Sequence, residues 1–346
     1  ARDKFVIDFD RDVLKRRIKM FRDLSMPDEI VKQAFKLKDT RGWKFTEARK
    51  ELAKDKDWDA YFTTMLYRPF DIRDIYYTQK MVDWPRPEVM RHMMKENLGL
   101  ITVRQVAEGV FNHAFVANAM IESRITLSNK GIGFLLPLYL YPNKGDMFSH
   151  EKDQGRKPNL NPKLVESLTE TYGKETKPEE IFYYIYGVLY SNIYRNKYAE
   201  FLKVDFPRVP FTKDYELFSR VGKYGSKLVD LHLLKSAELN NPIAKFEGSG
   251  DNQVEKLKYN EKERRVYINN AQYFEGIEKE VWEYQIGGYQ VLDKWLKDRK
   301  GRKLSLGDIE HYCQIATALK KTMEVQRSID NLYSDIERET VSIKDV

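Results

Sequence analysis

The sequence has little cysteine and no long apolar run. Cys313 is the only cysteine among 346 residues, which excludes a disulfide framework and a cysteine-based zinc site within one chain. The longest apolar runs, residues 131–141 and 181–190, are interrupted by Pro137 or are too short to cross a bilayer, which takes about 20 residues. No signal peptide is visible. We therefore expect a cytoplasmic protein with no membrane segment.

Motifs for metal and nucleotide chemistry are also missing. No Gly-rich loop ends in Lys-Ser or Lys-Thr, the pattern that holds the phosphates of ATP. His113 has no second histidine at ligand spacing, so a histidine metal site is not expected. Glu175-Thr-Lys177 resembles part of a nuclease metal site, but it lies in a polar stretch without a preceding strand acid. We therefore predict no metal in this chain.

The composition is that of a folded, basic protein. The chain is 42% hydrophobic and 33% charged, which is neither a disordered nor a membrane composition. Its 60 Lys and Arg against 53 Asp and Glu give a formal charge of +7, which suits a polyanionic partner. Residues 15–19 and 297–303 are the most basic segments, and each is either a phosphate contact or a solvated face. Because the first residue is Ala and not Met, we expect the sequence to begin inside a longer protein.

The first part of the sequence has helical patterning. Residues 5–9 suit a short extended start, and Asp10 suits the cap of an amphipathic helix. Further helices are expected, with Thr46 and Asp57 as caps of the last two, ending near Leu66. We predict a small helical front.

From residue 97 onward, strand and helix patterns alternate. Strands are predicted at 98–103 and 134–141, followed by an exposed connection over 142–178 with one short helix at 162–172. The later predictions are helices at 178–202 and 215–234, a hairpin over 254–269, a strand turning into a helix over 282–296, and a long helix from the Ser305 cap to Ile336. The fold class is therefore α+β, with a helical N-terminal region, a mixed body with a small sheet, and a long C-terminal helix.

Polar side chains concentrate between the first two predicted strands. These residues have the donor and acceptor groups that read DNA base edges, and ordinary loop solvation remains an equal alternative for each of them. They are Arg104, Gln105, Asn112, His113, Arg124, Ser128, Asn129 and Lys130.

Two other groups of basic residues are candidates for DNA contact. Arg68 and Arg73 lie in an apolar stretch and either pair with Asp71 and Asp74 as structural clamps or leave one arginine for a phosphate or base edge. The predicted helix 215–234 brings further cations together as a phosphate contact. They are Lys213, Arg220, Lys223 and Lys227.

Several blocks of the sequence resemble a known family. Residues 67–73 read Tyr-Arg-Pro-Phe-Asp-Ile-Arg and residues 84–90 read Trp-Pro-Arg-Pro-Glu-Val-Met. These motifs resemble the junction after the catalytic domain of large adenine-specific DNA methyltransferases, especially single-polypeptide type ISP restriction-modification enzymes. The tyrosine-rich block 181–233 and the block 282–296 resemble the target-recognition part of the same family.

The resemblance implies a domain division and a role. Residues 1–66 would be a helical coupler of the absent methyltransferase domain, 67–280 a DNA target-recognition domain, and 281–346 a C-terminal helical segment. The implied partners are double-stranded DNA and the missing methyltransferase domain of the same polypeptide. The parent would be a site-specific adenine-N6 methyltransferase, with or without restriction endonuclease activity.

The resemblance also implies that this chain does not do the chemistry. The family's tetrapeptide, Asn or Asp-Pro-Pro followed by an aromatic, is absent. Residues 246–250 match the Phe-x-Gly-x-Gly loop that cradles S-adenosylmethionine, but no helix is predicted directly after it, so we interpret it as a turn. We expect no catalytic residue and no cofactor here, and S-adenosylmethionine in the parent.

Two alternatives remain open at this point. The chain is a complete enzyme with an unrecognised active site, which a cleft of residues with shifted pKa values would favour. Alternatively it is a protein-interaction module, for which a large exposed apolar patch would argue.

Overall fold

The computed structural model describes residues 2–107, 109–127, 131–142 and 155–342. The helices in these ranges are α1 (Asp3–Val6), α2 (Arg11–Arg22), α3 (Asp28–Phe35), α4 (Phe45–Lys54), α5 (Pro87–Met90), α6 (Pro162–Tyr172), α7 (Pro178–Tyr190), α8 (Asn192–Lys197), α9 (Ala199–Val204), α10 (Tyr215–His232), α11 (Lys279–Trp282), α12 (Val291–Lys297) and α13 (Leu306–Ile336). Short 3₁₀ turns lie at Trp58–Tyr61, Arg91–Met94 and Ala237–Asn240.

The strands form several small sheets. They are β1 (Ile7–Asp8), β2 (Phe62–Arg68), β3 (Asp71–Tyr76), β4 (Gly99–Thr102), β5 (Phe115–Ala117), β6 (Met120–Ile121), β7 (Phe134–Pro137), β8 (Tyr139–Leu140), β9 (Lys157–Pro158), β10 (Lys245–Glu247), β11 (Lys258–Asn260), β12 (Arg265–Tyr267), β13 (Tyr273–Glu275), β14 (Gln285–Ile286) and β15 (Tyr289–Gln290). Their orders are β1-β3-β2-β6, β5-β4-β7, β10-β13-β12-β11, β8-β9 and β14-β15. This mixture of helices and separate small sheets confirms the predicted α+β class.

Two of the helix caps predicted in the helical front have different outcomes: the cap at Asp10 is present, and the cap at Thr46 is not. The Asp10 carboxylate accepts from the backbone N–H groups of Asp12 and Val13 at 2.8 and 3.1 Å, which caps α2. The cap predicted at Thr46 was wrong, because its hydroxyl donates to the Asp28 carboxylate instead.

The end of the front is a strand and not a helix. After the 3₁₀ turn at Trp58–Tyr61 the chain enters β2, where a helix ending near Leu66 was predicted. Strand β2 pairs antiparallel with β3, from Phe62 opposite Tyr76 to Arg68 opposite Asp71. Cross-strand pairing with a segment just beyond the predicted helix overrode the local helical preference.

The proposed domain limits fall inside elements. The division between residues 66 and 67 lies within β2, and the division between 280 and 281 lies within α11. Strand β1 joins the same sheet, with Ile7 opposite Ile75. One cluster of buried apolar residues runs through all three segments. The division into a coupler, a recognition domain and a C-terminal segment therefore stays a prediction.

A three-stranded sheet carries the polar segment of interest. Strand β4 lies between β5 and β7, with Gly99 opposite Ala117 and Thr102 opposite Phe134. The strand predicted at 134–141 is divided into β7 and β8 at Leu138, whose N–H donates to the Leu98 carbonyl at 2.7 Å.

The helical layer is α7, α10 and α13. The helix predicted at 178–202 is divided into α7, α8 and α9. The first break is at Ser191, whose hydroxyl accepts from the Tyr194 N–H at 3.2 Å and donates to Asp330 of α13 at 2.8 Å. Asp330 also accepts from the Asn192 N–H at 2.7 Å. A partner far away in sequence therefore fixes this break.

Glycines let α7 and α10 approach closely. A Cβ on Gly225 would lie 1.8 Å from the Tyr183 carbonyl oxygen, and one on Gly187 would lie 2.9 Å from that of Val221. Any larger residue at these two positions would push the helices apart. The predicted helices are present, but sequence patterning did not indicate this contact.

The second sheet packs on the long C-terminal helix. Phe274 of β13 lies 4.2 Å from the Tyr312 ring of α13, centroid to centroid. The predicted hairpin is β11 and β12, with Tyr259 opposite Val266. Ser305 caps α13 as predicted, since its hydroxyl accepts from the Asp308 N–H at 3.1 Å while Asp308 accepts from the Ser305 N–H at 3.0 Å.

Candidate DNA interface

Arg73 belongs to a buried ionic cluster. Its guanidinium contacts Asp71 Oδ2 through Nε at 2.9 Å and Nη2 at 2.6 Å, and Asp298 Oδ2 through Nη2 at 3.0 Å. The other oxygen of Asp71 accepts from Arg299 Nη2 at 2.9 Å. The predicted pairing of Arg73 with Asp71 is confirmed, and the guanidinium is not available to a phosphate or base edge in this structure.

Arg68 also has internal partners, although not the predicted ones. Its guanidinium pairs with Glu122 and lies over the Tyr67 ring, 4.2 Å from the centroid. Asp74, the other acid considered, lies 3.9 Å from Arg11. Both arginines of the 67–77 stretch therefore act as clamps, and neither is left free for DNA.

His113 and Asn112 lie inward. The His113 side chain is buried, and this burial, with the charge of Arg195, lowers its pKa to about 4, so the ring is neutral at pH 7. The carbonyl oxygen of Asn112 accepts from the Gly287 N–H at 2.8 Å. The buried Asn112 Oδ1 has no partner among the described residues. Asn112 and His113 thus help to hold the segment between β4 and β5 in place. His113 cannot reach a base edge unless this segment opens locally.

The hairpin of β14 and β15 also supports the turn that follows β6, residues 122–127. The Gly288 N–H donates to the Thr126 carbonyl at 2.9 Å, and the Tyr289 hydroxyl donates to the Leu127 carbonyl at 2.6 Å. Gly287 has φ +59°, and a Cβ there would lie 1.8 Å from the Thr126 oxygen. Sequence reasoning missed these supporting residues, and the only signal was the Gly-Gly pair itself.

Three of the candidate base readers are exposed at one end of the three-stranded sheet. The chain leaves β4 toward Arg104 and Gln105 beside the point where Phe134 begins β7. The Gly133 N–H donates to the Ser123 carbonyl at 2.7 Å, which brings the turn with Arg124 to the same end.

The exposed candidates differ in their contacts. Arg104 Nε lies 3.2 Å from Asp205 Oδ1, and both side chains are largely exposed. The Arg124 guanidinium is exposed and makes no ion pair with a described residue. Ser128, Asn129 and Lys130 lie outside the described residues. This end of the sheet therefore presents Arg104, Gln105 and Arg124 to solvent.

The predicted phosphate contact on α10 is partly neutralised. Lys227 Nζ lies 2.8 Å from Glu238 Oε1, and Lys213 Nζ lies 4.0 Å from Glu339 Oε2. Arg220 and Lys223 are exposed on the same helix, without an ion pair to any residue that the structure describes. Of the four cations, these two are the better placed to meet a phosphate.

The glycine loop at 246–250 has a packing role. Its first glycine, Gly248, has φ +96°, and a Cβ there would lie 2.1 Å from the Ala271 carbonyl oxygen. A Cβ on Gly250 would lie 2.5 Å from Gln272 Oε1. The next element is β11 and not a helix. Both glycines thus fit against a turn of their own sheet, and the loop does not fit a cofactor cradle.

Metal clusters and membrane spans are both missing from the described ranges. These ranges contain no group of three or more His, Cys, Asp or Glu side chains arranged to hold a metal ion. They also contain no helix that is both long and apolar enough to span a membrane.

Comparison with known proteins gives one family and several structures. The sequence model of the Type ISP C-terminal specificity domain matches residues 1–328. No curated protein matches the chain significantly in sequence.

The similar structures are much longer proteins. The ATP-dependent Type ISP restriction-modification enzyme LlaBIII bound to DNA has a TM-score of 0.71 at 20% identity, over 95% of this chain and 22% of that one. The DrdV–DNA complex has a TM-score of 0.70 at 20% identity, over 98% and 35%. A nuclease-deletion mutant of the Type ISP enzyme LlaGI, in complex with a DNA substrate mimic, has a TM-score of 0.64 at 18% identity, over 95% and 32%. This chain thus spans between about a fifth and a third of their lengths.

The structural similarity establishes a shared fold, and the family match covers nearly the whole sequence. The chain belongs to the Type ISP C-terminal specificity domain family.

Proposed function

We propose that this chain is the DNA target-recognition module of a restriction-modification enzyme. The observation that carries the proposal is the match of the Type ISP C-terminal specificity domain to residues 1–328. The similar structures are described as DNA complexes, and the formal charge of +7 suits a polyanion.

The proposed module separates two kinds of contact. Arg104, Gln105 and Arg124 read base edges in the major groove, because Arg matches guanine and Gln matches adenine. Arg220 and Lys223 on α10 contact phosphates, which fix register and orientation without carrying sequence information. Exposure of these side chains supports the assignment.

The remaining functions belong to the parent polypeptide. We infer that a methyltransferase domain outside this chain binds S-adenosylmethionine and modifies adenine at N6. This chain would hold the DNA target while the flipped base enters a pocket in that domain. We place the enzyme in the cytoplasm, whose reducing conditions suit a chain with the single cysteine Cys313.

Salt-dependent DNA binding by the 346-residue chain tests the proposal. Anisotropy of a labelled duplex should show weak binding at low salt, with log K falling against log [KCl] at a slope of roughly −4 to −5 if about five phosphates are contacted. The double variant Arg220→Gln, Lys223→Gln should make this slope less steep by about 1 to 2. No binding at low salt, or an affinity that does not depend on salt, would contradict the proposal.

A further inference from the structure

The segment between α3 and α4, residues 36–44, carries an unusual local charge. Four of its nine residues are cations, and all four side chains are exposed with no ion pair to a described residue: Lys36, Lys38, Arg41 and Lys44. The segment contains one acid, Asp39, and its Oδ1 accepts from the Phe45 N–H at 2.8 Å. We call this segment the 36–44 loop.

The most basic segments of the sequence differ from this loop because the fold neutralises much of their charge. In residues 15–19 and 297–303, five cations have acidic partners in the structure: Lys15 with Asp59, Arg17 with Asp8, Lys297 with Asp293, Arg299 with Asp71 and Lys303 with Asp251. A run of basic residues in the sequence therefore does not by itself indicate a positively charged surface that is available for binding.

The 36–44 loop is held in a defined shape. The Thr40 N–H donates to the Trp43 carbonyl at 2.9 Å, and the Trp43 N–H donates to the Thr40 carbonyl at 3.4 Å. These two bonds form a tight turn. Trp43 is buried, with its ring 6.2 Å from that of Phe45. Leu37 is also buried, and its N–H donates to the Lys32 carbonyl at 3.0 Å. Two buried side chains thus anchor the loop, which reduces the backbone entropy that binding would cost.

The charge and the chemistry of the loop fit a polyanion. Three of its four cations are lysines, and the turn has no asparagine or glutamine, the amide side chains that pair with adenine. Lys and Arg without these neighbours suit phosphate contacts, which are independent of base sequence. We propose that the 36–44 loop binds the phosphate backbone of duplex DNA, as a contact separate from α10 and from the base-reading end of the sheet. This inference rests on the proposed function.

The test compares two variants of the 346-residue chain with equal reduction of charge. One carries Lys36→Gln, Lys38→Gln, Arg41→Gln and Lys44→Gln. The matched control removes four exposed lysines around the second sheet: Lys245→Gln, Lys256→Gln, Lys258→Gln and Lys262→Gln. Thermal melting checks that both variants fold, and anisotropy with a labelled duplex over about 50 to 200 mM KCl gives the salt slopes.

The loop variant should bind more weakly, with a slope less steep by about 0.9 for each phosphate that the loop no longer neutralises, or about 2 to 4 in all. The control should keep the slope of the unmodified chain. An equal change in both variants would mean that only net charge matters, and would overturn the inference. A loop variant that keeps the full slope would also overturn it, while DNA binding by the unmodified chain would leave the proposed function intact.

A last experiment distinguishes duplex DNA from an anionic membrane as the partner of the loop. It also separates failure of this inference from failure of the proposed function. Vesicles of phosphatidylserine and phosphatidylcholine are titrated in parallel. A loop variant that loses vesicle binding but keeps DNA binding would assign the loop to membranes and overturn the inference. No DNA binding by the unmodified chain at low salt would overturn both proposals.

Discussion

Arg299 donates a hydrogen bond to Asp71 across 228 residues of sequence, with Nη2 2.9 Å from Oδ1. The Arg299 side chain is 7% exposed and the Asp71 side chain 1%, so the pair is almost fully shielded from solvent. Asp71 begins β3, and Arg299 lies in the turn between α12 and α13. Arg73, on the same strand, contacts the other Asp71 oxygen. The Asp71 carboxylate therefore joins the hairpin of β2 and β3 to the C-terminal part of the chain through Arg299.

Replacing Asp71 by Ala should destabilise the fold strongly. The change leaves Arg73 and Arg299 buried without a full set of partners, which costs about 3–5 kcal/mol in the free energy of unfolding. Urea denaturation measures the decrease. Asp59→Ala is the control, since Asp59 pairs with Lys15 at 2.8 Å on the surface, where such pairs contribute about 0 to 1 kcal/mol. Equal decreases in the two variants would show that the ionic cluster is not a structural tie.

Two glycines of α10 should respond oppositely to the same substitution. Gly225→Ala places a Cβ 1.8 Å from the Tyr183 carbonyl oxygen, so it should cost at least about 1–3 kcal/mol through overpacking. Gly222→Ala meets its nearest atom, the Glu180 oxygen, at 3.8 Å, and should stabilise by up to about 1 kcal/mol because Ala favours helix. Chemical denaturation compares them. A stable Gly225→Ala variant would mean that α7 and α10 are not in close contact.

Acid should weaken the fold through His232. Its Nδ1 lies 2.7 Å from the Tyr186 hydroxyl, and its Nε2 lies 2.9 Å from Thr322 Oγ1. The Thr322 hydroxyl donates to the Ala318 carbonyl at 2.7 Å, so Nε2–H is the donor to Thr322 and Nδ1 accepts from Tyr186. The neutral ring is thus fully satisfied.

Burial, together with the charge of Arg195, lowers the pKa of His232 to about 3. The unfolded chain, with a histidine pKa of about 6.5, binds one more proton between these values. Stability is therefore present above about pH 6.5 and falls as the pH drops, by up to about 1.4 kcal/mol per pH unit from this residue. The unfolding free energy of His232→Gln, measured from pH 7 to 5, should show a flatter dependence than that of the unmodified chain. Parallel curves would remove His232 as a source of acid sensitivity.

Base specificity should depend on the exposed end of the three-stranded sheet. In the full-length methyltransferase that we propose, Arg104→Ala or Arg124→Ala should cost about 1–3 kcal/mol at one base pair and relax the preference there. Lys223→Gln should weaken binding to all sequences about equally. Genome-wide profiles of methylated sites distinguish the outcomes. An unaltered recognition motif for every substitution between residues 104 and 124 would place base reading elsewhere.

The chain alone should be catalytically silent. Calorimetry with S-adenosylmethionine should give no binding heat, and labelled methyl groups should not reach DNA, because the Phe246-Glu-Gly-Ser-Gly250 loop packs against its own sheet. The full-length methyltransferase that we propose is the positive control. Methyl transfer by the chain itself would make Gly248 and Gly250 cofactor residues after all.

The sequence by itself determined the elements that depend on local signals. Asp10 caps α2, Ser305 caps α13, and the predicted short helix at 162–172 is α6. Capping bonds join residues two or three positions apart, and amphipathic spacing is a property of one segment, so both can be recognised before any tertiary contact is known. The motifs at 67–73 and 181–233 likewise predicted the family that the comparison found.

Only the tertiary structure decided which polar groups are available. Arg68 and His113 were candidates by residue type, but Glu122 pairs with the first and burial removes the second. Partner choice over long sequence separations leaves no local pattern, as the Asp71–Arg299 pair shows. The same reason explains the break at Ser191, which Asp330 fixes. A basic or polar side chain becomes a candidate for DNA contact only where the fold has left it exposed to solvent.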